Sequence, residues 1–188
     1  MSKLAFIGRF LLVFAFLITT GWLTNAPTRY ARMLQGVASL AGPLTSGWWL
    51  ERRNERGAEQ IWFRHGEQEL RLLLSLEALS LGLLPLLSLL GATPGLGARR
   101  LLVYVLIGSA GIFALDLIVL LLYPFLVLQP NAFTDITGTF LGLLTFVGAP
   151  VIFWFALTFD RLRPVWGLGN GEAGKGRPPT EHRAKKQR

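Results

Sequence analysis

The chain of 188 residues is 52% hydrophobic and only 16% charged, where soluble domains carry roughly 25% charged residues, and this balance excludes an ordinary water-soluble globule. Cysteine is absent, which excludes disulfides, thiolate metal sites and a cysteine nucleophile. The formal charge of +8 does not point to nucleic acid, because the basic excess lies in a short tail and beside apolar runs, with no aromatic residues interleaved.

A helix needs about 20 apolar residues to cross the hydrocarbon of a bilayer. The first stretch to qualify is Phe10 to Thr24, extended back through "LAFIGR". Lys3 and Arg9 ahead of an apolar core also fit a signal peptide, but Pro27 after Asn25-Ala26 is a poor processing site, so residues 1–25 are expected as an uncleaved anchor. "NAPTRYARMLQGVASLAGP" follows and reads as an amphipathic helix: Pro27 suits its first turn, and Gly42-Pro43 stops it. Tyr30, Met33, Leu34, Val37 and Leu40 share its apolar face. Such a helix either lies on the membrane surface or continues the first span.

The next segment holds five of the eleven acidic residues: Glu51, Glu55, Glu59, Glu67 and Glu69. "GWWLERR", "EQIWFRH" and "EQELRLL" are short runs separated by the turn-like "NERGA" and "HG". Apolar and charged residues alternate in them, as in strands with one covered face, so a small β-meander is expected, with a helix as the alternative. Three further apolar runs follow: Leu72 to Ala92; Leu101 to Leu128, long enough to tilt or to break at Pro124; and Gly138 to Thr158, with Pro150 inside it. "GSAG" at Gly108–Gly111 and "GTFLG" at Gly138–Gly142 mark expected helix-packing faces. The residues after Trp166 are glycine, proline and basic residues, a flexible tail able to touch anionic lipid head groups. Within the tail, "GNGEAGKG" lacks the Ser or Thr, the preceding strand and the following helix of a phosphate loop.

The predicted fold is an all-α integral membrane protein with four transmembrane helices, a small outer helix and a β-meander. Residues 1–25 form the anchor, 26–71 the outer part, 72–160 a three-helix transmembrane region and 161–188 the tail. Lys3, Arg9, Arg99, Arg100, Arg161, Arg163 and the basic tail fall on one side of this arrangement, which places both termini in the cytoplasm of a bacterial-type inner membrane.

Three groups of residues stand out as sites. Trp48, Trp49, Trp62, Phe63 and Arg64 combine aromatic area with charge and are expected to dock a partner, an integral membrane protein beside the bilayer itself. Asp116 lies mid-span, where a carboxylate costs roughly 2.5–3.5 kcal/mol on insertion scales. It must face protein, either as a packing contact with hydroxyls such as those of Ser109 and Tyr123 or as a proton relay that would make the protein a small transporter. Glu77 is the second intramembrane polar residue, expected near the interface and within reach of Arg71. His65 and Glu67 are the only cluster outside the spans suited to acid–base work, and a membrane-interface enzyme using them is the remaining alternative. They have neither a triad order nor a second external histidine for zinc, so no catalytic, cofactor or metal site is expected.

Leu84-Pro85-Leu86-Leu87, then Ala92-Thr93-Pro94-Gly95, then Arg99-Arg100, set within one span, an outer helix, a charged segment and two later spans, resemble the small accessory membrane proteins that accompany bacterial exosortase systems. The resemblance covers roughly Leu4 to Leu157. It implies a non-catalytic accessory role in envelope protein sorting and carries no catalytic residues. The enzymes of those systems are similar to cysteine-dependent transpeptidases, which a chain without cysteine is not.

Overall fold

The structure is a computed structural model that describes residues 3–41, 48–55, 58–72, 76–128 and 131–165. Among these the chain is mostly helical with one small sheet. Helix α1 (Lys3–Leu23) is the first apolar run. It does not continue into α2 (Ala26–Ala41). Asn25 sits in the left-handed region at φ 51° and turns the chain between them, a conformation asparagine tolerates at helix ends. The apolar face of α2 is divided. Ala31, Leu34 and Ala38 are buried against the rest of the chain, whereas Met33, Val37 and Leu40 on the adjoining stripe are exposed.

The charged segment is β. Strands β1 (Trp49–Glu55), β2 (Ala58–His65) and β3 (Gln68–Arg71) form an antiparallel meander in the order β1-β2-β3. The β2–β3 hairpin closes on Gly66 at φ +59°, a positive value that a two-residue turn of this type needs at its first position. Alternation sorts the residues. Leu50, Phe63 and Leu70 pair across one face, and Trp49, Arg64 and Glu69 across the other.

The run Leu72–Ala92, expected as a second span, is not one membrane-length helix. The backbone N–H of Leu72 donates to the Ile61 carbonyl at 2.9 Å, so the sheet takes the start of the run. Residues 76–92 form α3 (Leu76–Leu79), a 3-10 turn at Ser80–Gly82 and α4 (Leu83–Ala92). Glu77 falls within α3, and its expected pairing with Arg71 lies outside the described side chains.

Helix α5 (Ala98–Leu128) continues through Pro124, which is buried inside it. The last run comprises α6 (Ala132–Leu143), a π-helical turn at Leu144–Gly148 and α7 (Ala149–Val165). Asn131 and Thr134 cap α6 reciprocally, each side chain bonding the other's backbone N–H at 2.9 Å. Pro150 explains the π turn. It has no N–H to return to the Phe146 carbonyl and its ring crowds that group, so the ladder widens just before it. By length and apolarity, among the described residues, three helices can cross a membrane: Leu4–Leu23, Ala98–Leu128 and Ala132–Arg163. The tail motifs and Trp166 lie outside the described residues.

The buried core has two parts. Beside the sheet, Ile61, Phe63 and Leu72 pack with Ala31, Leu34 and Ala38 of α2, Leu79 of α3 and Leu120 of α5. Farther away, Leu86 and Leu90 of α4 pack with Ile112 of α5 and with Ala149, Trp154 and Leu162 of α7. Trp154 is an internal contact whose indole N–H donates to Thr93 Oγ1 at 2.9 Å. The small patch at Gly108–Gly111 is used: a Cβ at Gly108 would lie 2.9 Å from Leu86 Cδ2, and one at Gly111 would lie 2.5 Å from the Phe153 ring. At Gly138 and Gly142 no other described element of the chain comes within 4 Å of where their Cβ atoms would be.

Replacing Gly111 by Val is therefore expected to overpack α5 against α7 and cost about 1–3 kcal/mol. Gly138→Val should leave the unfolding midpoint in detergent unchanged. Equal effects of the two substitutions would contradict the packing described.

Candidate functional site: a braced sheet face and a buried carboxylate

The two faces of the sheet have different duties because strand residues alternate in direction. On the packed face the Phe63 ring stacks on Tyr123 of α5 at 5.6 Å. The Tyr123 hydroxyl donates to the Arg71 carbonyl at 3.3 Å. Trp48, just before β1, is buried with its ring 5.2 Å from that of His65. The five docking candidates therefore divide. Trp48 and Phe63 hold the sheet to the helices, while Trp49, Trp62 and Arg64 belong to the opposite face. Trp49 is 59% exposed and pairs in register with Arg64, whose side chain is also exposed.

A clamp crosses this exposed face. Arg53 on β1 reaches Glu69 on β3 through two parallel hydrogen bonds, Nη1 to Oε2 at 2.8 Å and Nη2 to Oε1 at 2.6 Å. Nη2 also donates to Glu51 at 3.0 Å. This forked geometry is the strong form of a carboxylate–guanidinium pair. Its guanidinium lies 5.2 Å from the centre of the Trp62 ring on the intervening strand. Between them the two outer strands are tied together over the middle one. The Trp62 indole N–H is buried beneath this layer without a partner among the described atoms. The hydrogen bonds donated by Arg53 hold the Glu69 carboxyl below its ordinary range, and donation to Glu69 and Glu51 holds Arg53 above its own. Sequence reasoning placed Arg53, Glu51 and Glu69 in the segment without seeing the clamp, because their contact spans three strands.

His65 and Glu67 flank Gly66 at the β2–β3 hairpin, and both are exposed. Among the described residues no three His, Cys, Asp or Glu side chains gather in a way that would hold a metal ion.

Asp116 is the other distinctive group. It is fully buried in α5, as a mid-span carboxylate has to be. Its Oδ2 accepts a hydrogen bond from the hydroxyl of Tyr30 on α2, whose ring also meets Phe113 edge-on at 5.7 Å. Burial and the neighbouring Asp116 raise the Tyr30 phenol above its usual range. The donor differs from the hydroxyls expected along α5 itself: it comes from a helix that lies 86 residues away in sequence. The signal available beforehand was Tyr30 on the apolar face of an amphipathic helix, a phenol in need of a buried acceptor. Asp116 Oδ1 and Thr145 Oγ1 are buried without partners among the described atoms.

Two outcomes follow from these contacts. Tyr30→Phe leaves Asp116 without its donor and is expected to cost about 1–3 kcal/mol in thermal unfolding. Adding Asp116→Leu should recover much of that loss, because removing both partners is milder than removing one; strictly additive losses would refute the coupling. In a carboxyl NMR titration, Glu69 should show a midpoint below the ordinary value of about 4.3, and Arg53→Gln should raise it. The sign is fixed by the lowered folded-state value. The clamp stabilises the sheet above the ordinary carboxyl range and is lost as pH falls through the lowered midpoint.

Comparison with known protein families, with characterised proteins and with solved structures finds no match to this chain.

Proposed function

We propose that the protein is a non-catalytic accessory subunit of a membrane protein complex and that the exposed face of the sheet is its recognition surface. The observation that carries the reading is Trp49, largely exposed beside Arg64 on a sheet braced from behind by Phe63 and Tyr123. A large aromatic next to an arginine on a rigid support is the composition of an interface anchor. The segment is too small to enclose a deep pocket by itself, since domains below about 60 residues bury little.

In this reading the chain crosses a bacterial inner membrane four times with both termini in the cytoplasm. The helical stretch 76–92, roughly 25 Å long at 1.5 Å per residue, supplies the additional crossing. The arginines at 99, 100, 161 and 163 then lie on the cytoplasmic side. Helix α2 lies at the outer surface with its exposed Met33, Val37 and Leu40 against the bilayer. The partner is an integral membrane protein. A role in envelope protein sorting beside an exosortase follows from the resemblance of the Leu84–Arg100 segment. A second reading rests on Asp116, whose unpartnered Oδ1 suits a proton relay. It requires flux in proteoliposomes that Asp116→Asn abolishes.

The test of the accessory reading is purification of the tagged protein in mild detergent with quantification of co-eluting membrane proteins. A partner at fixed ratio is expected. Trp49→Ala with Arg64→Glu should weaken its retention by about 2 kcal/mol or more, roughly thirtyfold in affinity, without lowering the unfolding midpoint. A chain that elutes alone, intact, would overturn the proposal.

A further inference from the structure

Helices α1 and α4 pack together, and a Cβ at Gly91 would lie 3.1 Å from Val13. An open groove of about 800 Å³ lies between α1 and residues 80–87, the 3-10 turn and the start of α4. One wall is α1, where Phe10 and Phe14 stack one turn apart at 5.7 Å. The other is Leu81, Leu84 and Leu87, and Tyr30 of α2 closes the end. The volume lies within the range of about 300–1,000 Å³ typical of small-molecule sites.

The chemistry of the lining identifies the class of occupant. The groove is lined almost wholly by apolar side chains, and two of its hydroxyls are engaged internally: Thr24 donates to the Thr20 carbonyl at 2.8 Å, and Tyr30 donates to Asp116. A ligand needing hydrogen bonds would leave its own polar groups unpaired there, whereas a hydrocarbon chain leaves none. The groove is cut into α1, a helix long and apolar enough to cross a membrane and with none of its span buried within the chain. It therefore opens toward hydrocarbon. It ends beside Trp22, 82% exposed at the end of α1, the kind of residue that sits at head-group level.

We propose that this groove is a lipid-binding site that holds one acyl chain of a phospholipid, with the head group at the Trp22 end. The site is independent of the sheet face and of any protein partner. Its occupant is a specific lipid, held longer than the lipids around it because concave walls contact the chain on several sides.

Glycines on α1 allow a controlled test. Gly21 lines the groove and Gly8 does not, and neither has a described atom within 4 Å of where its Cβ would be. The full chain is purified in dodecyl maltoside and its retained phospholipid measured by native mass spectrometry. The wild type and Gly8→Phe are expected to retain roughly one phospholipid per chain, and Gly21→Phe about tenfold less, all three with the same unfolding midpoint. In parallel, the wild type is reconstituted with phosphatidylglycerol carrying a diazirine in its palmitoyl chain. Crosslinks should concentrate on Phe14–Thr24 and Leu81–Leu87. Labelling spread evenly over every apolar helix, equal retention in the Gly21 and Gly8 variants, or a lipid-free dimer in the native spectrum would each overturn the proposal. If Gly21→Phe lowers the unfolding midpoint, the wild-type crosslink map decides alone.

Discussion

A carboxyl group on a helix built for hydrocarbon has to be covered by protein, and much of the arrangement around it follows from how Asp116 is covered. Nothing along α5 itself provides the observed donor; Tyr30 of α2 does. The bond holds a short amphipathic helix against a long apolar one at a defined height, because a phenol has only two side-chain torsions with which to reach. Once α2 is fixed there, its stripe of Ala31, Leu34 and Ala38 becomes one side of the core in which Ile61, Phe63 and Leu72 are buried. The position of the sheet depends in this way on a polar contact far from it in sequence. The contact is strong evidence for a defined arrangement and weaker evidence for stability, since a well-packed apolar pair of the same shape can be as stable as a buried polar one.

A second constraint comes from prolines and glycines inside the apolar helices. Ala149 returns its N–H to Leu144 and Pro150 has none to give, so the carbonyl of Thr145 is turned out of the ladder. It points at Gly82, where a Cβ would lie 2.8 Å from it. The 3-10 turn of one helical run is thus seated on the π turn of another, and only glycine permits the approach. Such departures from regular helix at membrane depth are tolerated where protein covers them, and Gly82 and Thr145 are both buried.

The sheet serves the proposed recognition role because its two faces are chemically separate. Phe63 on Tyr123 removes freedom from the backbone that carries Trp49 and Arg64, and the Arg53 clamp does the same from the exposed side. An interface anchor held in place before binding loses less conformational entropy on association. The proposed acyl groove needs no such rigidity, since a hydrocarbon chain adapts to the wall it meets.

Hydrophobic run length and period determined much of this protein before any tertiary contact was considered. The long apolar runs point to helices in a bilayer, and the alternation in residues 48–72 favours strands over the helical alternative, because every second side chain of a strand faces the same way. Within the same segment, what separates Trp48 from Trp49 is only their parity relative to the packed face, and that parity is set by where the sheet meets α5. Tertiary structure alone decided the donor to Asp116, the clamp between Arg53 and Glu69, and the loss of Leu72, the first residue of the second run, to the sheet. Each of these joins residues distant in sequence through side-chain reach, and local pattern carries no information about reach. Run length is a property of the chain by itself; which polar groups find each other is a property of how its helices cross.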